Sequence, residues 1–132
     1  MQAKIGAVSL LVRDYDEAIA FFTGSLGFVL LEDKPMGGGK RWVRVAPAAT
    51  TGSCLVLAKA TTPAQVSAVG AQAGDRVWLF LETDNFARDH QHMLAAGVQF
   101  TEPPRHEAYG TVAVFCDLYG NKWDLLEPRR PG

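Results

Sequence analysis

Ile5-Gly6-Ala7-Val8-Ser9-Leu10-Leu11-Val12-Arg13-Asp14 opens the chain, and Val77-Trp78-Leu79-Phe80-Leu81-Glu82-Thr83-Asp84 answers it further on. Val8, Leu10 and Val12 alternate with Ala7, Ser9 and Leu11, the period of two that marks a strand partly buried on both faces. A helix should follow in each case. Asp14 stands three residues before Glu17, an N-cap with an acid at the third helical position. Ala18, Phe21, Phe22, Ser25 and Leu26 continue at helical spacing until Gly27 stops them. Asp84-Asn85 caps a second helix over 86–96, stopped by Gly97. The two stop glycines lie 70 residues apart, and the strands align at an offset of 71, so Val8, Leu10 and Val12 correspond to Leu79, Leu81 and Thr83. The chain is an internal duplication.

Working outward, strands are expected at 28–32 and 41–45 around a break at Pro35–Lys40, then a turn at Pro47–Gly52 and a strand at 54–58. The second half gives strands at 98–101, 111–116 and 122–126, with Pro103-Pro104 and the tight turn Asp117-Leu118-Tyr119-Gly120-Asn121 between them. The fold class is therefore α+β, with two tandem βαβββ modules over about 4–60 and 75–128. A linker at 61–74 carries one helical turn at 63–69. Four strands covered on one face curl into an open half-barrel, and two half-barrels are expected around a concave cavity. With Val8, Leu10 and Val12 under the helix, the pleat directs Ala7, Ser9 and Leu11 to the concavity, and by the same offset Trp78, Phe80 and Glu82.

The 132 residues suit one domain with its own core. Thirteen Lys and Arg against fourteen Asp and Glu leave a formal charge of −1, without the basic excess that a nucleic-acid surface needs. No apolar run reaches membrane-spanning length and no signal core precedes the first strand, so a soluble cytoplasmic chain is expected. Cys54 and Cys116 form no metal or redox motif and are expected to stay reduced.

The segment 5–14, Ala20-Phe21-Phe22 and Leu26-Gly27-Phe28 resemble the vicinal oxygen chelate superfamily, the glyoxalase, bleomycin-resistance and extradiol dioxygenase fold. Ala95-Ala96-Gly97-Val98 and the closing run Asp117 to Leu125 add to the resemblance, which covers about residues 4–128. It implies two βαβββ modules, often a homodimer, and cavities between modules. In metal-dependent members four side chains hold a divalent cation, from His, Gln or Glu. Carried over by position, these fall on Ala7, within Cys54–Ala58, on Trp78 and on Asp124. Only Asp124 keeps a carboxylate, so no metal and no other cofactor is expected.

The candidate ligand-binding residues are Trp78, Phe80, Asp124, Phe115, Tyr109, Arg41 and His106. Trp78 is either a stacking platform with an N–H handle or a core ring closing an empty barrel. Phe80 suits the core as well as the lining. An inward Asp124 on an apolar strand needs a partner or a shifted pKa, which makes it the candidate catalytic base or ligand acceptor; a structural ion pair is the alternative. Lys40-Arg41-Trp42-Val43-Arg44 places Lys40, Trp42 and Arg44 on one face and Arg41 and Val43 on the other, with the inward face left open. A guanidinium in the cavity would favour an anion. His106 and Tyr109 sit in a loop expected at the cavity mouth, where they gate a ligand or simply face solvent. His90 and His92 lie on different faces of a helix, and Gly37-Gly38-Gly39-Lys40 lacks the spacing of a phosphate loop.

These residues point first to a small-molecule-binding protein or enzyme of this superfamily without its metal. A metal-dependent lyase of the lactoylglutathione type, or a dioxygenase, is the alternative that intact ligands would support. A drug-sequestering resistance protein without catalysis is the third.

Overall fold

Alternation in the first strand is realised in the computed structural model, which describes residues 1–49 and 52–130. Leu10 and Val12 are fully buried while Ala7 and Ser9 are exposed. They belong to β1 (Ala7–Val12), followed by α1 (Tyr15–Ala20), β2 (Val29–Gly37), β3 (Lys40–Ala46), β4 (Cys54–Lys59) and α2 (Pro63–Ala68). Asp14 caps α1 as expected, its Oδ2 accepting from the Glu17 N–H at 2.9 Å. The helix does not stay α-helical to Leu26. The Thr23 hydroxyl donates to the Ile19 carbonyl at 2.7 Å, competing with the backbone ladder, and residues Phe21–Ser25 widen into a π-helical turn.

The first sheet runs β1-β4-β3-β2, with β1 parallel to β4 and the other neighbours antiparallel. Helix α1 packs on β3 and β4. Val43, Val45, Leu57, Ala18 and Phe22 join Leu10 and Val12 in a fully buried layer. Each large apolar side chain there contributes about 1.5–3 kcal/mol by leaving water. The expected break at Pro35 is absent: β2 continues through Pro35 and Met36 to Gly37. A proline is tolerated because β2 is the sheet's edge, where an N–H need not be donated. The turn then closes on Gly38 and Gly39, with φ of +62° and +82°. Thr50 and Thr51, within the turn expected over Pro47–Gly52, lie outside the described residues.

The second module repeats this plan in β5 (Val77–Glu82), α3 (Phe86–Ala95), β6 (Gln99–Phe100), β7 (Arg105–Glu107), β8 (Gly110–Cys116) and β9 (Lys122–Pro128). Its order is β5-β9-β8-β6, with β7 also on β8 and β5 parallel to β9. The segment 105–107, expected as loop, is a strand: Arg105, His106 and Glu107 pair with Val112, Thr111 and Gly110. Strands β6 and β7 are one edge strand interrupted by Pro103-Pro104, the counterpart of β2. The core layer under α3 holds Phe86, Met93, Phe115, Trp123 and Leu125, with His90 stacked on Phe86 at 5.2 Å between ring centroids.

Both sheets are open, not closed barrels. The chain divides into two compact units, Met1–Val69 and Gly70–Gly132. Among the described residues no helix is long and apolar enough to cross a membrane, and both cysteines are free.

Candidate functional site

In the first unit, Val43 settles which way the charged strand faces. Its burial under α1 puts Arg41 on the helix side, so Lys40, Trp42 and Arg44 take the open face. Arg41 is held there by two carboxylates, Asp33 at 2.7 Å and Asp16 at 2.9 Å, with its guanidinium 5.1 Å from the Tyr15 ring centroid. Hydrogen bonds that it donates to Asp33 and then to Asp16 push its pKa up. The structure thus gives Arg41 protein partners rather than a free fork.

Across the open face, Ser9, Val56, Arg44 and Glu32 fall in one register row. Glu32 accepts from Arg44 at 2.7 Å and from the Trp42 indole at 3.2 Å, and Lys34 approaches to 3.1 Å. Hydrogen bonds from Lys34, Arg44 and Trp42 lower its pKa from 4.5 to about 2. A depressed carboxylate contributes stability above its unfolded pKa and loses it as pH falls toward 2. Glu32→Gln is therefore expected to flatten part of the acid limb of the stability curve between about pH 4.5 and 2, read by thermal unfolding. An unchanged limb would mean that the network is not formed in solution. A groove of about 680 Å³ borders this row and draws on both sides of the sheet, with Leu11, Met36, Trp42 and Val56 among its walls and Tyr15, Arg41 and Lys59 from the helix side.

In the second unit, Phe80, Asp124 and Val114 form the corresponding row. Phe80 is 62% exposed, so it belongs to the open face and not to the core. Asp124 beside it is 9% exposed, and its Oδ1 has no hydrogen-bond partner among the described residues. Burial raises its pKa; Arg105 opposes the shift and Glu102 adds to it. Arg105 is already bound to Glu102 at 2.6 Å and to Glu107 at 3.1 Å, and the alternative of a structural ion pair is not found at Asp124 among the described residues.

The remaining candidates fall elsewhere. Phe115 cannot line a cavity: it is fully buried between Phe100 and Trp123, at 5.6 and 5.7 Å between centroids. A bulge between Val77 and Leu79 takes Trp78 out of the strand's alternation. Its half-buried ring stands edge-on to Trp123 at 5.7 Å, against the core layer. Tyr109 is 54% exposed at the β7–β8 turn, and His106 is exposed with its Nδ1 3.3 Å from the Thr111 hydroxyl. Glu82 is exposed at the end of β5.

Two features went unread in the sequence. Trp42, 36% exposed on the open face, was within reach once Val43 was taken as the buried member of its strand. The other is Asp117, a buried acceptor for its own turn.

The residues present do not fit a divalent metal. Ala7 and Trp78 offer no ligand atom, and the thiol of Cys54 on β4 is taken up by Arg44 at 3.6 Å. Asp124 has Phe80 and Val114 as register neighbours. Among the described residues no three His, Cys, Asp or Glu side chains gather where an ion could bind.

The chain is 50% identical over 128 residues to an uncharacterised protein of Shewanella frigidimarina, covering 96% of this chain and 95% of that one. It is 34% identical to the uncharacterised protein YurT of Bacillus subtilis, covering 94% and 98%. The crystal structure of UcmS2 superposes with a TM-score of 0.83 at 31% identity, covering 96% and 99% of the two chains. TnmS3, an antibiotic binding protein from Streptomyces sp. CB03234, superposes with a TM-score of 0.77 at 29% identity, covering 97% and 98%. A sequence profile for one superfamily matches residues 4–125, on the two duplicated modules described above. The chain belongs to the Glyoxalase/Bleomycin resistance protein/Dioxygenase superfamily.

Proposed function

We propose that this protein binds a small organic molecule with an aromatic part, and does so without a divalent metal. Asp124 carries the reading. It is a buried carboxylate whose Oδ1 no donor reaches among the described residues, on an open sheet face next to an exposed phenyl ring. A desolvated oxygen left without a partner costs stability, and a donor supplied by a ligand would remove that cost. Phe80 gives the ligand's ring a surface. The antibiotic-binding neighbour TnmS3 supports binding as the task of such a site. Sequestration needs an acceptor and an apolar surface, and these residues supply both. Under the same reading the protein acts as a homodimer, as the resemblance implies, and in the cytoplasm.

Two measurements test the proposal. Protein purified without an affinity tag should carry no stoichiometric metal, and nickel, zinc, manganese, iron or chelator should leave its Tm unchanged. Stoichiometric metal would overturn the metal-free reading and favour a lyase or dioxygenase. Asp124→Asn should weaken at least tenfold the binding of aromatic hits from a tryptophan-fluorescence screen. It should also raise stability at pH 7 by about 1 kcal/mol, because it removes a desolvated charge. The sign follows from the raised pKa: the folded state holds this proton more tightly, so the ionised group destabilises above its unfolded pKa. A destabilised Asp124→Asn would make the carboxylate structural instead.

A further inference from the structure

We infer that the groove of the first unit takes a planar aromatic anion, a flat ring system bearing a carboxylate, sulfonate or phosphate. The inference rests on the small-molecule reading above and adds the ligand's charge. It stands on a different unit and on different residues from Asp124.

The groove, about 680 Å³, falls in the range of small-ligand sites and holds two or three fused or linked rings. Its apolar wall is Trp42 with Leu11, Val56 and Met36. The polar groups at its edge are cations and hydrogen-bond donors. Among the described residues three cationic ones, Lys40, Arg41 and Lys59, line it, and no Asp or Glu does. Arg41 is neutralised by Asp33 and Asp16 on the helix side. Lys40 and Lys59 make no ion pair among the described residues, so their charge is uncompensated. The Tyr15 hydroxyl accepts from the Arg41 N–H at 3.2 Å, which leaves its hydrogen to donate. The Gln65 carbonyl accepts from the Thr61 N–H and hydroxyl at 2.8 and 3.1 Å, which leaves the amide N–H₂ to donate.

An anion is the complement of such a rim, because a cationic ligand would meet two ammonium groups without an ion pair, while Glu32 beside Trp42 is already held by Arg44 and Lys34. Gly38 and Gly39 at the hairpin tip present no side chains, and nothing lies within 4 Å of where a Cβ would stand. The hairpin tip thus leaves room for the rings to lie against Trp42, with the acidic group toward Lys40 on the same face and Lys59 lining the groove from the helix side.

The test uses two fluorescent probes that differ in one substituent, 1-anilinonaphthalene-8-sulfonate and the uncharged N-phenyl-1-naphthylamine. Each is titrated into the full chain, with probe emission and energy transfer from tryptophan as readouts. The sulfonate is expected to bind about tenfold more tightly than the neutral probe, which corresponds to about 1.4 kcal/mol. The double variant Lys40→Gln, Lys59→Gln should bring the sulfonate down to the neutral probe's affinity and leave the neutral probe unchanged. Raising the salt from about 50 to 500 mM should weaken the sulfonate alone. Both lysines are exposed, so the double variant should keep the wild-type Tm. Trp42→Ala should weaken both probes. Equal affinities in the wild type would overturn the charge assignment while leaving the small-molecule reading standing. A sulfonate preference that survives in the double variant would overturn the site. Failure of both probes to bind would overturn the groove itself, while the Asp124→Asn experiment would separately decide the second unit.

Discussion

Asp117→Ala is expected to lower the unfolding free energy by about 4 kcal/mol and the Tm by roughly 15 °C. Asp117 is 6% exposed and serves four donors. Its Oδ1 accepts the N–H groups of Tyr119 and Asn121, both at 3.0 Å. Its Oδ2 accepts from the Asn121 side-chain amide at 3.0 Å and from the Trp123 indole at 3.1 Å. Asn121 and Trp123 are each 3% exposed, so water cannot replace the lost acceptor without opening the turn. Each buried donor left alone costs about 1–3 kcal/mol. The damage spreads, because the Asn121 Oδ1 accepts from the Gln72 N–H at 3.0 Å and so ties the preceding connection to the turn. Asp117→Asn keeps one carbonyl acceptor and should cost about half as much. Urea unfolding followed by tryptophan fluorescence measures both. A loss below about 1 kcal/mol for the alanine would show that the turn is held by something else. Asp117 and Asp124 are two buried acids of one unit with opposite expected signs, since one is fully partnered and the other is not.

Gly110→Ala should cost about 3 kcal/mol. Gly110 starts β8 with φ at +152°, a conformation that L side chains rarely adopt and that strains them by about 1–3 kcal/mol. There is also no room. A Cβ would lie 2.2 Å from the Glu127 carbonyl oxygen and 3.1 Å from Pro128 Cα, both in the backbone of β9. Relief requires β8 and β9 to part at Gly110–Pro128, adding an overpacking cost of about 1–3 kcal/mol. The Arg129 N–H donates to the Tyr109 carbonyl at 2.7 Å beside this pair and would be strained with it. Gly6→Ala is the control, since nothing lies within 4 Å there, and should fall within about 0.5 kcal/mol. Chemical denaturation of the two variants side by side is sufficient. Equal stabilities would mean that the strands are less closely apposed at Gly110 than the structure shows.

The βαβββ element order, the duplication and the capping are legible because they rest on local signals. Asp14, Gly27 and the alternation through Leu10 and Val12 each act within a few residues. Faces were harder wherever both sides of a strand are apolar. In β8, Ala113 and Phe115 lie on one face and Val112 and Val114 on the other, so hydrophobicity could not say which is covered. Phe115, a candidate for the cavity lining by sequence, therefore lies in the core. Trp78, which parity directs to the concavity, stands against Trp123 as its core alternative has it, because parity is lost at a bulge and a bulge leaves no mark in the residue types here. Strand β7 is not legible because three residues after two prolines resemble a loop until β8 pairs with them. Asp124 was recognisable as a carboxylate on an apolar strand. Its lack of a partner was not, because that depends on Arg105 being claimed by Glu102 and Glu107.

The parallel pairing in each unit also governs how the chain is made. Ala7 of β1 pairs with Cys54 of β4, 47 positions later, and Val77 pairs with Lys122 after 45. The β2–β3 hairpin needs only its glycine tip and forms within about 1–10 μs of being available. The β1–β4 ladder must first close a long loop, an entropic cost that comes before any contact repays it. During synthesis at about 5–20 residues per second, β1 therefore waits roughly 2–10 s for its partner to emerge. For that interval Leu10 and Val12 form an unpaired, sticky edge. The hazard of misassembly on the ribosome is thus set by the distance in sequence between these two strands, and the stability of the finished unit does nothing to shorten it.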